Sequence, residues 1–194
     1  MGVIIFWDHQ APDGIQLPVA RMISQILDMP VEVRESPILL RGFNRQRNQH
    51  NARAILDDIQ DKYTRVNGTE ESLLLVVAAD LCIPERDFLF GLAREAINTA
   101  IISTARLGNG YYGRLHHDDD IIDRVVKEGA HEIGHLFGLA HCDEPECIMF
   151  LPETLDDLDR KKKMLCPLCR EHLADRRDRR KTAGTAPAAD REYL

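Results

Sequence analysis

The sequence has no long apolar run, few aromatic residues and too few cysteines, unevenly placed, for a disulfide framework. Its purely apolar stretches, such as Val3–Trp7 and Leu73–Val77, are only a few residues long, whereas a membrane-spanning helix needs about 18 or more. A helical membrane protein is therefore excluded. The first residues lack the basic stretch and long apolar core of a secretory leader. Phe6 stands where N-myristoylation would want Ser or Thr, so that anchor is not expected either. Five cysteines, an odd number, in a chain read as leaderless suit a reduced, cytoplasmic compartment. A basic body is also missing. Residues 1–159 carry 14 basic and 27 acidic side chains, and residues 160–194 carry 11 and 5. A generic nucleic-acid binder would show the opposite bias, so no nucleic-acid partner is expected.

What is present is an ordinary globular mixture: 194 residues, 44% hydrophobic and 29% charged, enough for one well-packed domain. Gly2 to Trp7 reads as a strand, followed by a helix entered at Pro18, a favoured first helical position. Val19, Met22, Ile23, Ile26 and Leu27 recur along it at three- and four-residue spacing, and Pro30 ends it. Val31–Glu35 alternates as a half-buried strand does. A second helix is predicted from about Arg47 to Tyr63, burying Ala52, Ile55, Leu56 and Ile59, with a turn at Asn67-Gly68. Ser72 to Ala79 suits a strand buried on both faces. Phe88 to Ala93 and Thr99 to Ala105 are predicted as two more. Asp118-Asp119-Asp120 then opens a long helix, where acidic side chains suit the positive helix end. The pattern predicts an α/β fold: a mixed, twisted sheet of four or five strands backed by two long helices.

The informative stretch is His131-Glu132-Ile133-Gly134-His135-Leu136-Phe137-Gly138-Leu139-Ala140-His141. Residues four apart share a helix face, so His131 and His135 can present imidazole nitrogens to one ion. Glu132, offset by one position, cannot easily be a ligand but can reach a water beside the metal. Gly138 permits the left-handed conformation with which a helix commonly ends, and the chain can double back to bring His141 as third ligand. Three imidazoles plus water form an open tetrahedral site, the mark of catalytic zinc. Zinc lowers the pKa of its water to about 7, and Glu132 can act as general base, passing the proton to a leaving amine. Five fixed residues at this spacing arise by chance on the order of once in 10⁵ chains of this length.

Cys142 and Cys147, then Cys166 and Cys169, form two pairs separated by a loop. Four thiolates close a tetrahedron and leave no room for substrate, so a second ion held there would be structural. Its binding could contribute roughly 10–16 kcal/mol of apparent stability. A redox pair at Cys166 and Cys169 is the competing reading. Cys82 suits an inert buried thiol.

These motifs resemble those of the archaemetzincins. The resemblance rests on His131 to Cys142, then Cys147-Ile148-Met149, then Leu165-Cys166-Pro167-Leu168-Cys169. It extends more weakly upstream through Asp80-Leu81, Phe88-Leu89-Phe90-Gly91 and Ser103-Thr104-Ala105-Arg106. It implies a metzincin-like fold, with a sheet-and-helix upper lobe, a small lower lobe and a substrate cleft between them. Met149 would form an apolar base beneath the histidines. The resulting expectation is one metallopeptidase domain over residues 1–172, its upper lobe ending near 138 and its zinc-stabilised lower lobe at 139–172. Residues 173–194 would be a disordered basic tail.

Other features carry less weight. His116 and His117 lie 14 residues or more before His131, about 21 Å along a helix, and suit the surface. Tyr111 and Tyr112 could reach the cleft, although ordinary packing is favoured. Thr99–Ala105 could be the sheet edge that pairs with a peptide. Arg160-Lys161-Lys162-Lys163 and the Arg-rich segment at 176–181 suit a solvated loop and tail. The chain is thus expected to be a cytoplasmic, monomeric zinc peptidase acting on peptide or protein substrates, with two Zn2+ ions. A catalytically silent, zinc-stabilised binding protein is the alternative.

Overall fold

The computed structural model describes residues 2–64, 71–183 and 192–193. In chain order, β1 (Val3–Trp7), α1 (Gln16–Leu27), β2 (Val31–Glu35), β3 (Phe43–Asn44), β4 (Gln49–Asn51) and α2 (Ala52–Ile59) form the first half. β5 (Ser72–Val77), β6 (Leu81–Ile83), β7 (Arg86–Leu89), β8 (Gly91–Arg94), β9 (Thr99–Ser103) and α3 (Asp118–Leu136) follow. The chain ends with α4 (Leu155–Arg160), α5 (Pro167–Ala183) and the short β10 (Glu192–Tyr193).

The main sheet has the order β10-β8-β9-β5-β1-β2. β2, β1, β5 and β9 are mutually parallel, whereas β8 runs antiparallel to β9 and β10 antiparallel to β8. Every residue of β1, β5 and β9 is buried, as parallel strands covered on both faces require. α1 and α3 cover one face through Val19, Ile23, Val125, Val126 and Ile133 against Ile5, Leu74 and Ile102. α2 covers the other with Ala52, Ile55, Leu56 and Ile59 against Leu75, Leu81 and Ile101.

The α/β class and the mixed sheet agree with the sequence reading, and several details do not. The sheet reaches six strands because β10 is added at its edge. A second sheet, β3-β4-β6-β7, was not foreseen. It takes up the beginning of the predicted 47–63 helix: residues 49–51 pair as β4, and α2 starts only after Asn51, whose side chain accepts from the backbone N–H groups of Arg53 and Ala54. The predicted 88–93 strand breaks at Phe90, β7 joining the second sheet and β8 the first. β9 lies between β5 and β8, so it is not the edge; the two residues of β10 form the edge, covering β8 only at Ala93 and Arg94. Asn67-Gly68 falls outside the described residues.

The basic tail is also corrected. α5 continues helical to Ala183, past the expected border at 173. Its arginines do not all dangle in solvent. Arg177 donates to the Leu27 carbonyl at the end of α1, and Arg180 donates to the Leu136 carbonyl at the end of α3 while lying over the Phe137 ring. Cations at helix C-termini satisfy orphan carbonyls and complement the dipole.

Candidate functional site

α3 runs beneath the sheet and carries His131, Glu132 and His135 on its buried stretch. Its end is specified in detail. The Gly138 N–H donates to the His135 carbonyl and the Leu139 N–H to the Gly134 carbonyl, with Gly138 at φ +77°. This is a Schellman closure. The reversal it produces turns the Leu139 carbonyl back to accept from His135 Nδ1 at 2.7 Å. His131 Nδ1 likewise donates to the Ile148 carbonyl at 2.8 Å. Because carbonyls only accept, both hydrogen bonds place the proton on Nδ1 and leave Nε2 a bare lone pair.

Those lone pairs converge. His135 Nε2 lies 3.0 Å from His131 Nε2 and 3.2 Å from His141 Nε2. Burial, opposed by the Leu139 hydrogen bond, pushes His135 down to about 3, and burial lowers His131 and His141 as well. Three neutral nitrogens facing one another without a proton between them are mutually repulsive unless a cation sits among them. The donor set therefore fits zinc. His131 and His135 are buried, whereas His141 is exposed, which leaves the site open on one side.

Met149 supports this cluster from below. A Cβ on Gly134 would come 2.5 Å from its sulfur, so only glycine lets the methionine press against the helix between the two histidines. The Met149 carbonyl accepts from the Cys142 N–H at 2.9 Å, fixing the chain that leaves His141.

Cys142, Cys147, Cys166 and Cys169 bring their sulfurs together, all within 4.8 Å of one another. The N–H groups of Met149 and Cys166 point at Cys147 Sγ at 3.4 and 3.3 Å, and that of Cys169 at Cys166 Sγ at 3.5 Å. Such donors suit sulfurs bearing negative charge. Burial and the neighbouring sulfurs push Cys147 and Cys169 upward, the strain expected of crowded thiols that a cation would relieve.

Two buried groups escaped the sequence reading. Lys161, expected in a solvated basic run, is 2% exposed, and its Nζ lies 3.4 Å from His131 Nδ1. Burial pushes it down to about 8, against the opposing pull of Glu128 and Glu132. Glu128, one helical turn before Glu132, is equally buried. Burial, reinforced by the neighbouring Glu128 carboxylate, raises Glu132 well above its usual range. Neither Glu128 Oε2 nor Glu132 Oε2 has a hydrogen-bond partner among the described residues. No sequence signal separates Lys161 from Lys162 beside it; only tertiary packing does.

A cleft of about 190 Å³ opens above these groups, lined by the three histidines, Glu128, Glu132, β7, Phe90, Gly91, Leu151–Glu153 and Tyr193. Tyr111 and Tyr112 do not line it; the Tyr112 hydroxyl donates to the Arg106 carbonyl. His116 is at the surface, 2.8 Å from Asp118. The upstream segments of the resemblance meet behind the cleft, where Arg106 holds Asp80 through two hydrogen bonds of 2.9 and 2.8 Å and covers the Phe88 ring.

An α/β scaffold that brings two imidazoles of α3 and a third from beyond its end together beside a carboxylate has the site architecture of the zinc-dependent metallopeptidases. Comparison with known proteins is specific. Residues 17–175 match peptidase family M54. Among solved structures, a zinc-dependent peptidase from Methanocorpusculum labreanum is 43% identical with a TM-score of 0.83, covering 89% of this chain and all of that one. The archaemetzincin of Methanopyrus kandleri is 30% identical with a TM-score of 0.77, covering 92% and 96%. The archaemetzincin of Pyrobaculum aerophilum is 42% identical over 108 residues, a stretch that covers 56% of this chain and 64% of that relative, just under two thirds. The chain belongs to peptidase family M54, the archaemetzincins.

Proposed function

We propose that the chain hydrolyses peptide bonds in peptide or protein substrates, with one catalytic zinc on His131, His135 and His141 and one structural zinc on Cys142, Cys147, Cys166 and Cys169. The observation that carries this reading is the convergence of three Nε2 lone pairs beside Glu132, whose buried Oε2 has no hydrogen-bond partner among the described residues. When bound, zinc polarises the peptide carbonyl and makes water acidic enough to attack it near neutral pH. Glu132 accepts the attacking water's proton on its carboxylate and returns it to the leaving nitrogen. Ile148 and Leu139 hold two imidazoles in the tautomer that ligation needs. Gly138 sets the reversal and Met149 supports the ring cluster. In the lower lobe, about 139–172, the four sulfurs would tie together loops that give Ile148, Met149, Leu158 and Leu165 to the main core.

Cysteines used as metal ligands suit a reducing, cytoplasmic setting, and an acidic body suits a monomer that takes peptide rather than nucleic acid. Among the described residues, no helix is long and apolar enough to cross a membrane.

The test is mass spectrometry of a mixed peptide pool incubated with protein verified to hold two zinc ions. Wild type should cut. Glu132→Gln should keep both ions and lose roughly 10³-fold in rate. No cleavage at full zinc occupancy would replace this reading with that of a zinc-stabilised peptide-binding protein.

A further inference from the structure

β8 borders the cleft, and an unpaired strand edge is a template for an extended chain. Glu192 and Tyr193 occupy that edge, paired antiparallel with Arg94 and Ala93 respectively. Successive residues of an extended chain point to opposite faces, and each of these two meets a matching surface. The Glu192 carboxylate lies 2.8 Å from Arg53 Nε and 3.5 Å from Arg94 Nη2. The Tyr193 ring lies flat on the His135 ring, with centroids 4.2 Å apart and planes 10° from parallel, and its hydroxyl reaches Glu95 at 3.4 Å.

The register also points at the chemistry. A peptide continuing two residues beyond the aromatic position would come opposite Gly91. A Cβ at Gly91 would stand 2.5 Å from Glu132 Oε1, so β8 passes directly beside the carboxylate there. A chain lying on this edge is thereby led to Glu132.

We propose that the cleft recognises an extended acidic–aromatic pair, with the carboxylate between Arg53 and Arg94 and the ring on His135, and that Glu192-Tyr193 is this chain's own occupant of the site. Main-chain pairing supplies affinity and the two side-chain seats supply selectivity, as in other strand-addition recognition. The inference deepens the peptidase reading and rests on the same cleft. A tethered occupant competes at an effective concentration near millimolar, so an added peptide must displace it.

The experiment uses the zinc-loaded full-length protein and a fluorescein-labelled peptide, Asp-Arg-Glu-Tyr-Leu, followed by fluorescence anisotropy. The E192A/Y193A double variant should bind it about tenfold or more tightly than wild type does. Unlabelled peptides with Lys in place of Glu, or Ala in place of Tyr, should compete about tenfold less well. Equal binding by both proteins, or equal competition by all three peptides, would overturn the proposal. Cleavage of the mixed pool is scored separately. Selective binding without cutting supports the recognition site and removes the peptidase reading; cutting with no enrichment for acidic–aromatic pairs does the reverse.

Discussion

The histidine and cysteine clusters are built from adjacent residues yet by opposite means. Two of the three imidazoles are held by a long, fully packed helix, and their outer nitrogens are tied to backbone carbonyls before any ion arrives. The four sulfurs sit on turns and at the start of α5, with backbone N–H groups as their main polar partners. One cluster is preorganised by the fold; on the proposed reading, the other would organise the turns that carry it. The same ion would therefore do chemistry at the first and stabilise structure at the second.

Breaking each cluster separately gives the largest contrast. Cys166→Ser should cost about 4 kcal/mol, roughly 8–16 °C in Tm, and release one ion. His141→Ala should abolish turnover while moving Tm by only a few degrees; calorimetry with metal analysis distinguishes the two. Equal thermal losses would erase the distinction. A second test sits within one basic run. Lys161→Met leaves Glu128 and Glu132 buried without their cation and should cost about 3 kcal/mol, whereas Lys162→Met next to it should stay within about 0.5 kcal/mol.

The joint between the lobes comes next. Arg124, buried on α3, holds Asp159 at the end of α4 through bonds of 2.7 and 2.8 Å. Asp159→Ala should cost about 2 kcal/mol by denaturant titration, less than a fully buried pair because Asp159 is partly exposed. The smallest effect concerns acid. Burial pushes Asp123 upward, but Lys127 and Lys163 outweigh it and hold its carboxyl below the usual value. Its contribution is present above about pH 4 and is lost as pH falls through the depressed value. Asp123→Asn should lower Tm by about 2–4 °C at pH 7, with the difference from wild type shrinking in acid below pH 4.

The metal-ligand candidates were legible because ligation imposes spacing: four residues along a helix, a glycine reversal, and paired cysteines. The parallel core strands were legible because burial on both faces leaves an unbroken apolar run at 73–77. Lys161 was hidden because a charged side chain shows nothing in sequence of the carboxylates folded against it. Tyr193 was hidden for a different reason: strand addition by two residues leaves no periodicity, and its strand partner Ala93 is a hundred positions away. The break at Phe90 was likewise invisible, since both halves of that segment are strand-like and only the sheet to which each belongs differs.

His141 and Cys142 are joined by a single peptide bond, so with an ion in each cluster that bond would work as a two-input logic gate. Emptying the sulfur cluster would free the chain that carries the third imidazole, and output would require both inputs. As free zinc rises, activity in such a molecule would climb more steeply than in simple proportion, and scarcity would turn it off sharply. Inserting one residue between 141 and 142 would rewire the gate into two independent switches.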